Sequence, residues 1–311
     1  MATTALTLDE IYALAHDAMT ANGCNDENAS ALADIVTRAE RDGSHSHGLF
    51  RIPGYVKALR SGKVDGKASP TVTRVTPAVI RCEGHGCFAP LAQASALPVL
   101  AEAASEVGVA ALSLTGIHHF AALWPETEFL ADRGLVGIAC TAYMPMVAPA
   151  GSAEKLFGTN PISFAWPRPG RDPVCYDMAT AAMAMGDIQI AARDGKEVPP
   201  GTGLDADGNA TTDPAKITAG VVLPFGGYKG SAIALMVELL AAAWRRDGDR
   251  AVTRANRRPR MAGACRGFHG QADIAEGCAG TGRTPPQEPP RHRTAQYQRG
   301  TCRNNPRASL A

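Results

Sequence analysis

No two cysteines in this 311-residue chain are spaced as Cys-x-x-Cys; all eight lie far apart, Cys82 and Cys87 being the closest couple. That spacing argues against a zinc knuckle and against a disulfide framework, and it suits a reducing, cytoplasmic compartment. A run of about eighteen uncharged apolar residues, the length that spans a bilayer, is also missing. The best stretch, Ser231 to Trp244, is short and interrupted by Glu238, so no membrane span is expected. There is no Gly-x-x-x-x-Gly-Lys-Ser/Thr segment, which argues against a P-loop kinase or ATPase. The basic start of a targeting signal is absent too: Thr7-Leu8-Asp9-Glu10 reads as a capping box that opens a helix.

The last absence is local. Lysine supplies seven of the 17 basic residues before Trp244 and none from there to the end. That tail carries fourteen Arg against five acids, a charge of +9, whereas residues 1–243 carry 17 basic and 25 acidic groups, a charge of −8. Hydrophobic periodicity vanishes in the tail, and Pro, Gly, Thr and Gln take over. A GC-rich gene read out of frame gives this composition, so residues 244–311 are expected to be a frameshifted, disordered Arg/Pro-rich tail. The competing explanation is a natural basic tail that binds nucleic acid.

The chain is long enough for two domains or one elaborate one. Helices are expected over 8–21 and 26–41, the second burying Ala29, Leu32, Ala33, Val36 and Ala39. A β-rich stretch at 70–82 is broken near Pro77. Helix 90–107 leads to strand 109–115, and helix 123–133 to strand 135–141. Strands at 161–166 and 174–178 and helices at 184–192 and 230–243 complete the readable part. Without a clean βαβ alternation, the pattern predicts an α+β, mixed α/β fold.

Several segments can carry chemistry. Gly84-His85-Gly86-Cys87-Phe88-Ala89 fits Gly-x-Gly-x-x-Ala between a strand and a helix, but the next strand ends without the acid that would hold a ribose. Ser46-His47 with Arg51 joins a group that exchanges protons near neutrality to a fork that grips a carboxylate. His45 and His47 could share a metal with His118 or His119, but no acid or cysteine ligand accompanies them, and no metal is expected. Asp187 reads locally as a first-turn helix acid and can also orient a distant histidine. Thr159-Asn160-Pro161 fits a turn or a polar cleft contact equally well. Gly226-Gly227-Tyr228-Lys229-Gly230, just before a helix, can offer N–H groups and a lysine to a phosphate.

Taken in order, five runs resemble the malate/L-lactate dehydrogenase-like oxidoreductases, and within them the reductases of Δ1-piperideine-2-carboxylate and Δ1-pyrroline-2-carboxylate. They are Arg41–Arg51 (RDGSHSHGLFR), Met146–Pro149, Phe157–Pro161, Asp177–Thr180 and Leu223–Gly230. The resemblance covers about residues 5–243 and ends where the composition changes. It implies a non-Rossmann, largely antiparallel sheet for the nucleotide and a homodimer. It divides the chain into a helical substrate and dimerisation part (1–115), an NAD(P)-binding part (116–243) and the tail. It implies His47 as proton donor, supported by Ser46 and by Asp187 as relay, with Arg51, Thr159, Met185 and Gly186 on the substrate. Cofactor contacts would fall on His119, Phe120, Ala121, Ala122, Leu123 and Trp124, on Asp177, Met178 and Ala179, and on Gly227, Tyr228 and Lys229. NADPH is the expected cofactor, with NADH the alternative. The activity implied is reduction of a cyclic imino acid, and the same machinery serves 2-hydroxy acids. A small-molecule substrate is therefore expected, and neither nucleic acid nor membrane.

Overall fold

The computed structural model describes residues 5–118, 121–245 and 263–266. Helices α1 (Leu8–Thr20) and α2 (Asp26–Arg41) form where the apolar spacing places them. The capping box closes in both directions. Thr7 Oγ1 accepts from the Glu10 N–H at 3.2 Å, and the Glu10 carboxylate accepts from the Thr7 N–H at 2.7 Å. Asn25 caps α2 through the Asn28 N–H at 3.0 Å. Two single 3-10 turns follow, His45–His47 and Leu49–Arg51. They lead into α3 (Ile52–Arg60), a helix hidden in the sequence by Pro53 and Gly54 in its first turn. Tyr55 and Ala58 of α3 join Met19, Leu32 and Val36 in one buried cluster, which Phe88 completes.

The remaining elements are β1 (Thr71–Thr76), β2 (Val79–Glu83), α4 (Ala89–Val107), β3 (Ala111–Thr115), α5 (Trp124–Ala131), β4 (Gly137–Thr141), β5 (Ile162–Arg168), β6 (Arg171–Met178), α6 (Met185–Arg193), β7 (Gly203–Leu204), β8 (Ala210–Thr211), α7 (Pro214–Ala219), β9 (Val221–Val222), α8 (Tyr228–Arg245) and β10 (Gly263–Arg266). The main sheet has seven strands in the order β1-β2-β3-β10-β4-β5-β6. It runs across residue 115 without a break. The small sheet is β8-β7-β9.

The fold is mixed α/β, as the sequence predicts, and its main sheet is antiparallel at the edges and parallel at the centre. Its three outer pairings, β1–β2, β4–β5 and β5–β6, are antiparallel. Its three inner pairings, β2–β3, β3–β10 and β10–β4, are parallel. Parallel neighbours need a crossover, and α4 supplies it between β2 and β3, while β10 enters between β3 and β4 from far down the chain. The sequence conceals this alternation because β10 comes from far down the chain and separates β3 from β4. Residues 244–311 are expected to be without regular structure, yet their described residues are the end of α8 and β10, a strand at the centre of the sheet. Pairing through backbone groups on both edges asks little of its side chains.

Cores form on both sides of the sheet. Ile80, Leu97, Leu100, Leu112 and Leu114 fill the layer between α4 and the strands. A separate cluster of Val147, Phe157, Ile188, Ile217, Val222 and Ala234 holds α6, α7, β9 and α8 together. No helix among the described residues is long and apolar enough to cross a membrane.

Candidate active site

His47 sits in the 3-10 turn between α2 and α3. Its Nδ1 lies 3.3 Å from Ser44 Oγ and 3.2 Å from Ser46 Oγ. When either hydroxyl donates to Nδ1, the neutral ring carries its proton on Nε2. Burial, and secondarily the charge of Arg51, push the His47 pKa down to about 4. The ring is therefore neutral near pH 7 in the ligand-free protein. Arg51 is steered by its own turn: its Nε–H donates to the Ser46 carbonyl at 2.6 Å, and its guanidinium lies 5.7 Å from the Phe50 ring centroid.

Gly186, in the first turn of α6, closes the site from far down the chain. A Cβ there would stand 2.5 Å from Arg51 Nη2 and 2.9 Å from Ser46 Cβ. Ser46, Arg51 and Gly186, expected together, are thus in direct contact. Met185 is half-buried beside Gly186 at the start of the helix. Asp187 lies in the same turn, half-buried, its N–H bonded to the Ala184 carbonyl. No hydrogen bond joins its carboxylate to His47, so it stands as a first-turn acid of α6. Two residues that the sequence did not single out enter here. Tyr143 and the buried Tyr55 both feel the charge of Arg51, and burial outweighs that charge in each. It pushes the Tyr143 phenol up to about 12 and the Tyr55 phenol up as well, so both stay protonated.

Thr159 is half-buried, and its backbone is held by Thr180. The Thr180 N–H and Oγ1–H both donate to the Thr159 carbonyl, at 2.9 and 3.0 Å, and the Thr180 carbonyl accepts the Phe225 N–H at 3.0 Å. Thr180 therefore joins three of the recognisable runs, at 157–161, 177–180 and 223–230. Asn160 is buried at φ 37°. It donates to the Ala234 carbonyl and to Glu238 at 3.1 and 2.9 Å, and accepts the Tyr143 N–H at 3.1 Å. This network fastens the turn to α8.

The expected cofactor residues separate into three groups. His119 and Phe120 lie outside the described residues. Ala121, Ala122 and Leu123 are buried, and Asp177 is engaged with the start of α5. Its Oδ2 accepts the Leu123 and Trp124 N–H groups at 2.6 and 3.1 Å, while the Trp124 indole N–H donates to Asp42 at 3.1 Å. These residues bind one another, with Asp177 acting as a helix cap supplied by a neighbouring strand. Met178 is exposed on the far face of β6, and Ala179 packs against the cluster around Ile188. Gly227, Tyr228 and Lys229 form an exposed loop at the start of α8.

The two glycine loops differ in what they offer an anion. In Gly84–Ala89 every backbone N–H has a protein acceptor: Thr115, Glu83, Gly116, Gly84, Asn28 and His118 in turn. Nothing is left for a phosphate, and the Glu83 carboxylate stands against the loop. In the second loop Gly226 and Gly227 both have left-handed backbones, φ 56° and 63°. The N–H groups of Gly226, Gly227 and Tyr228 take no partner among the described residues. Successive free amides beside Lys229 at a helix start fit a cofactor phosphate. No cluster of His, Cys, Asp and Glu among the described residues can hold a metal.

The malate/L-lactate dehydrogenase family model matches residues 6–268, so the chain belongs to that family. The match runs past residue 243, where the resemblance is expected to end, and takes in β10. Among relatives, a Δ1-pyrroline-2-carboxylate reductase of Pseudomonas fluorescens is 46% identical over 238 residues, 76% of this chain and 71% of its own length. A Δ1-pyrroline-2-carboxylate/Δ1-piperideine-2-carboxylate reductase of Pseudomonas putida is 50% identical over 235 residues, 75% of this chain and 69% of its own. The solved structure of a Δ1-piperideine-2-carboxylate reductase from Pseudomonas syringae superposes with a TM-score of 0.74 at 48% identity, covering 77% of this chain and 72% of that one. These findings place the chain among oxidoreductases of the NAD(P)H-dependent kind.

Proposed function

We propose that the chain reduces the C=N bond of cyclic 2-imino acids, Δ1-piperideine-2-carboxylate to pipecolate and Δ1-pyrroline-2-carboxylate to proline. The observation that carries this reading is the convergence of His47, Ser46 and Arg51 with Gly186 beneath them. A proton donor and a carboxylate grip stand side by side in a site closed by a residue with no side chain. NADPH, with NADH the alternative, supplies the hydride to the imine carbon when bound. Gly226 to Lys229 would hold its phosphate, and Gly84–Ala89 would not, which supports a nucleotide site of the non-Rossmann kind.

Arg51 grips the substrate carboxylate through its planar fork. That carboxylate offsets the charge of Arg51, the second cause of the depressed His47 pKa. Substrate binding therefore moves His47 towards a more useful acid as the complex forms. The Ser44 and Ser46 hydroxyls hold Nδ1, and Nε2 delivers the proton to the imine nitrogen. Tyr55 and Tyr143, both kept protonated by burial, add no negative charge beside Arg51.

A homodimer is supported by the outer face of the sheet. Ile138, Trp166, Val174, Tyr176 and Met178 are all exposed on one face of β4–β6, a patch that apolar association would cover. Sedimentation of the purified chain tests it. The out-of-frame origin of the tail rests on composition alone and is tested by resequencing the gene.

The deciding assay follows NADPH oxidation at neutral pH with Δ1-piperideine-2-carboxylate, pyruvate and oxaloacetate in parallel. Turnover confined to the imine supports the reading. Turnover confined to the 2-oxo acids replaces it with a 2-hydroxy acid dehydrogenase.

A further inference from the structure

Glu40, on the last turn of α2, spends both carboxylate oxygens on the segment that carries His47. Its Oε1 accepts the Leu49 N–H at 2.8 Å and its Oε2 meets His45 Nδ1 at 2.6 Å. The two anchors sit two residues before and two residues after His47. The Glu40 side chain is 15% exposed and that of His45 is 70% exposed, so the amide bond is the stronger of the two holds. Gly48 lies directly against this carboxylate. A Cβ there would overlap Glu40 Oε1 and Cδ and stand 2.8 Å from Cγ. The His47 ring itself is met by the longer contacts of Ser44 and Ser46 to Nδ1.

We propose that Glu40 is the positioning residue for His47: one carboxylate straps the turn on both sides of the histidine, and Gly48 is a glycine because the strap occupies its side-chain space. The inference rests on His47 being the proton donor of the reading above. A histidine displaced by about an ångström loses on the order of a hundredfold in rate. Loss of the strap therefore acts on kcat and leaves the KM for NADPH near its original value.

The test is a mutant cycle in the full chain. Glu40→Ala is expected to lower kcat about ten- to a hundredfold. Glu40→Gln, which still accepts the Leu49 N–H, is expected to stay within about threefold of the parent. Gly48→Ala should fall as far as Glu40→Ala. The double variant should fall no further than Glu40→Ala, because removing the carboxylate frees the space the new methyl needs. A parent-like kcat in Glu40→Ala, or a double variant whose losses multiply, overturns the proposal.

Amide exchange over residues 44–51 judges the strap without turnover. Protection of the Leu49 amide should be lost in Glu40→Ala and kept in Glu40→Gln, and unchanged protection in Glu40→Ala overturns the strap. If the parent chain fails to reduce the imine while exchange behaves as expected, the functional reading falls and the strap stands. Should Glu40→Ala not fold, Glu40→Asp, one methylene too short to reach both anchors, is judged by the same two criteria.

Discussion

Replacing Gly186 by alanine sets a gain in the helix against a clash at the site. Gly186 lies in the first turn of α6 with ordinary helical backbone, where alanine is the better residue by about 0.5–1 kcal/mol. The helix should therefore lose nothing by the change. The new methyl, however, would stand 2.5 Å from Arg51 Nη2, 2.9 Å from Ser46 Cβ and 3.2 Å from the Ser46 carbonyl oxygen. The guanidinium can swing away; the Ser46 backbone, held by the Arg51 Nε–H, cannot yield without moving the same arginine. Overpacking of this kind costs about 1–3 kcal/mol, and at about 1.4 kcal/mol per decade that is roughly a five- to hundredfold loss. The loss should fall on the carboxylate grip. Steady-state kinetics with Δ1-piperideine-2-carboxylate should show the imine KM rising by that factor while the NADPH KM stays put. Set against the helix gain of about 0.5–1 kcal/mol, the overpacking should leave the melting temperature equal to or below that of the parent. A Gly186→Ala enzyme with unchanged imine KM would refute the contact between α6 and Arg51 as the floor of the substrate site. One with a raised melting temperature would show that the methyl meets no crowding against Ser46 and Arg51.

Three other outcomes follow from the same geometry. His47→Ala should cost about two to four orders of magnitude in kcat, and near-normal turnover would remove it as the proton donor. His47 and His118 are both pushed down to about 4, first by burial and then by nearby positive charge, Arg51 and Lys63 respectively. Unfolded histidine titrates near 6.5, so as pH falls from about 6.5 towards 4 the unfolded chain takes up protons that the folded one refuses. Stability is full above that window and lost on descending through it. His47→Asn should flatten the slope by about 1.4 kcal/mol per pH unit per proton, as read by urea unfolding at pH 7, 6 and 5; an unaltered slope would contradict the burial. Asp177→Ala removes the cap at the start of α5 and should destabilise the protein by about 0.5–2 kcal/mol, and an unchanged urea midpoint would show the cap to be idle.

Where local pattern decides structure, the sequence was a sound guide. The capping box at Thr7, the apolar face of α2 and the β-branched run at 71–76 each announce themselves within one or two turns of chain. The proton-donor segment was legible for the same reason: His47, Ser46 and Arg51 lie within six residues. What escaped is whatever depends on distant partners. Glu40 reads as one more helix acid until Leu49 folds back on it, and Thr180 as one more strand-end residue until segments around 159 and 225 meet there. Asp177 stands out in its motif, but nothing local shows that its carboxylate caps a helix more than fifty residues earlier. The fingerprint at Gly84–Ala89 fails in the opposite sense, since its pattern is correct and its amides are already taken. The parallel centre of the sheet was invisible because no local signal links β10 to β3 and β4.

That central strand has a consequence for assembly. Strands β1–β3 and β4–β6 are two half-sheets, and among the described residues the strand that joins them is the four-residue segment Gly263–Arg266. Until the ribosome has released it, β3 and β4 each present an open edge in what will become the middle of the molecule. The final closure is also the most non-local pairing in the sheet, and so the slowest to be found. A nascent chain of this protein is thus a pair of unlatched halves waiting for a late bolt. In that interval a neighbouring chain can offer its own bolt, so crowded synthesis should favour strand-exchanged pairs over single molecules.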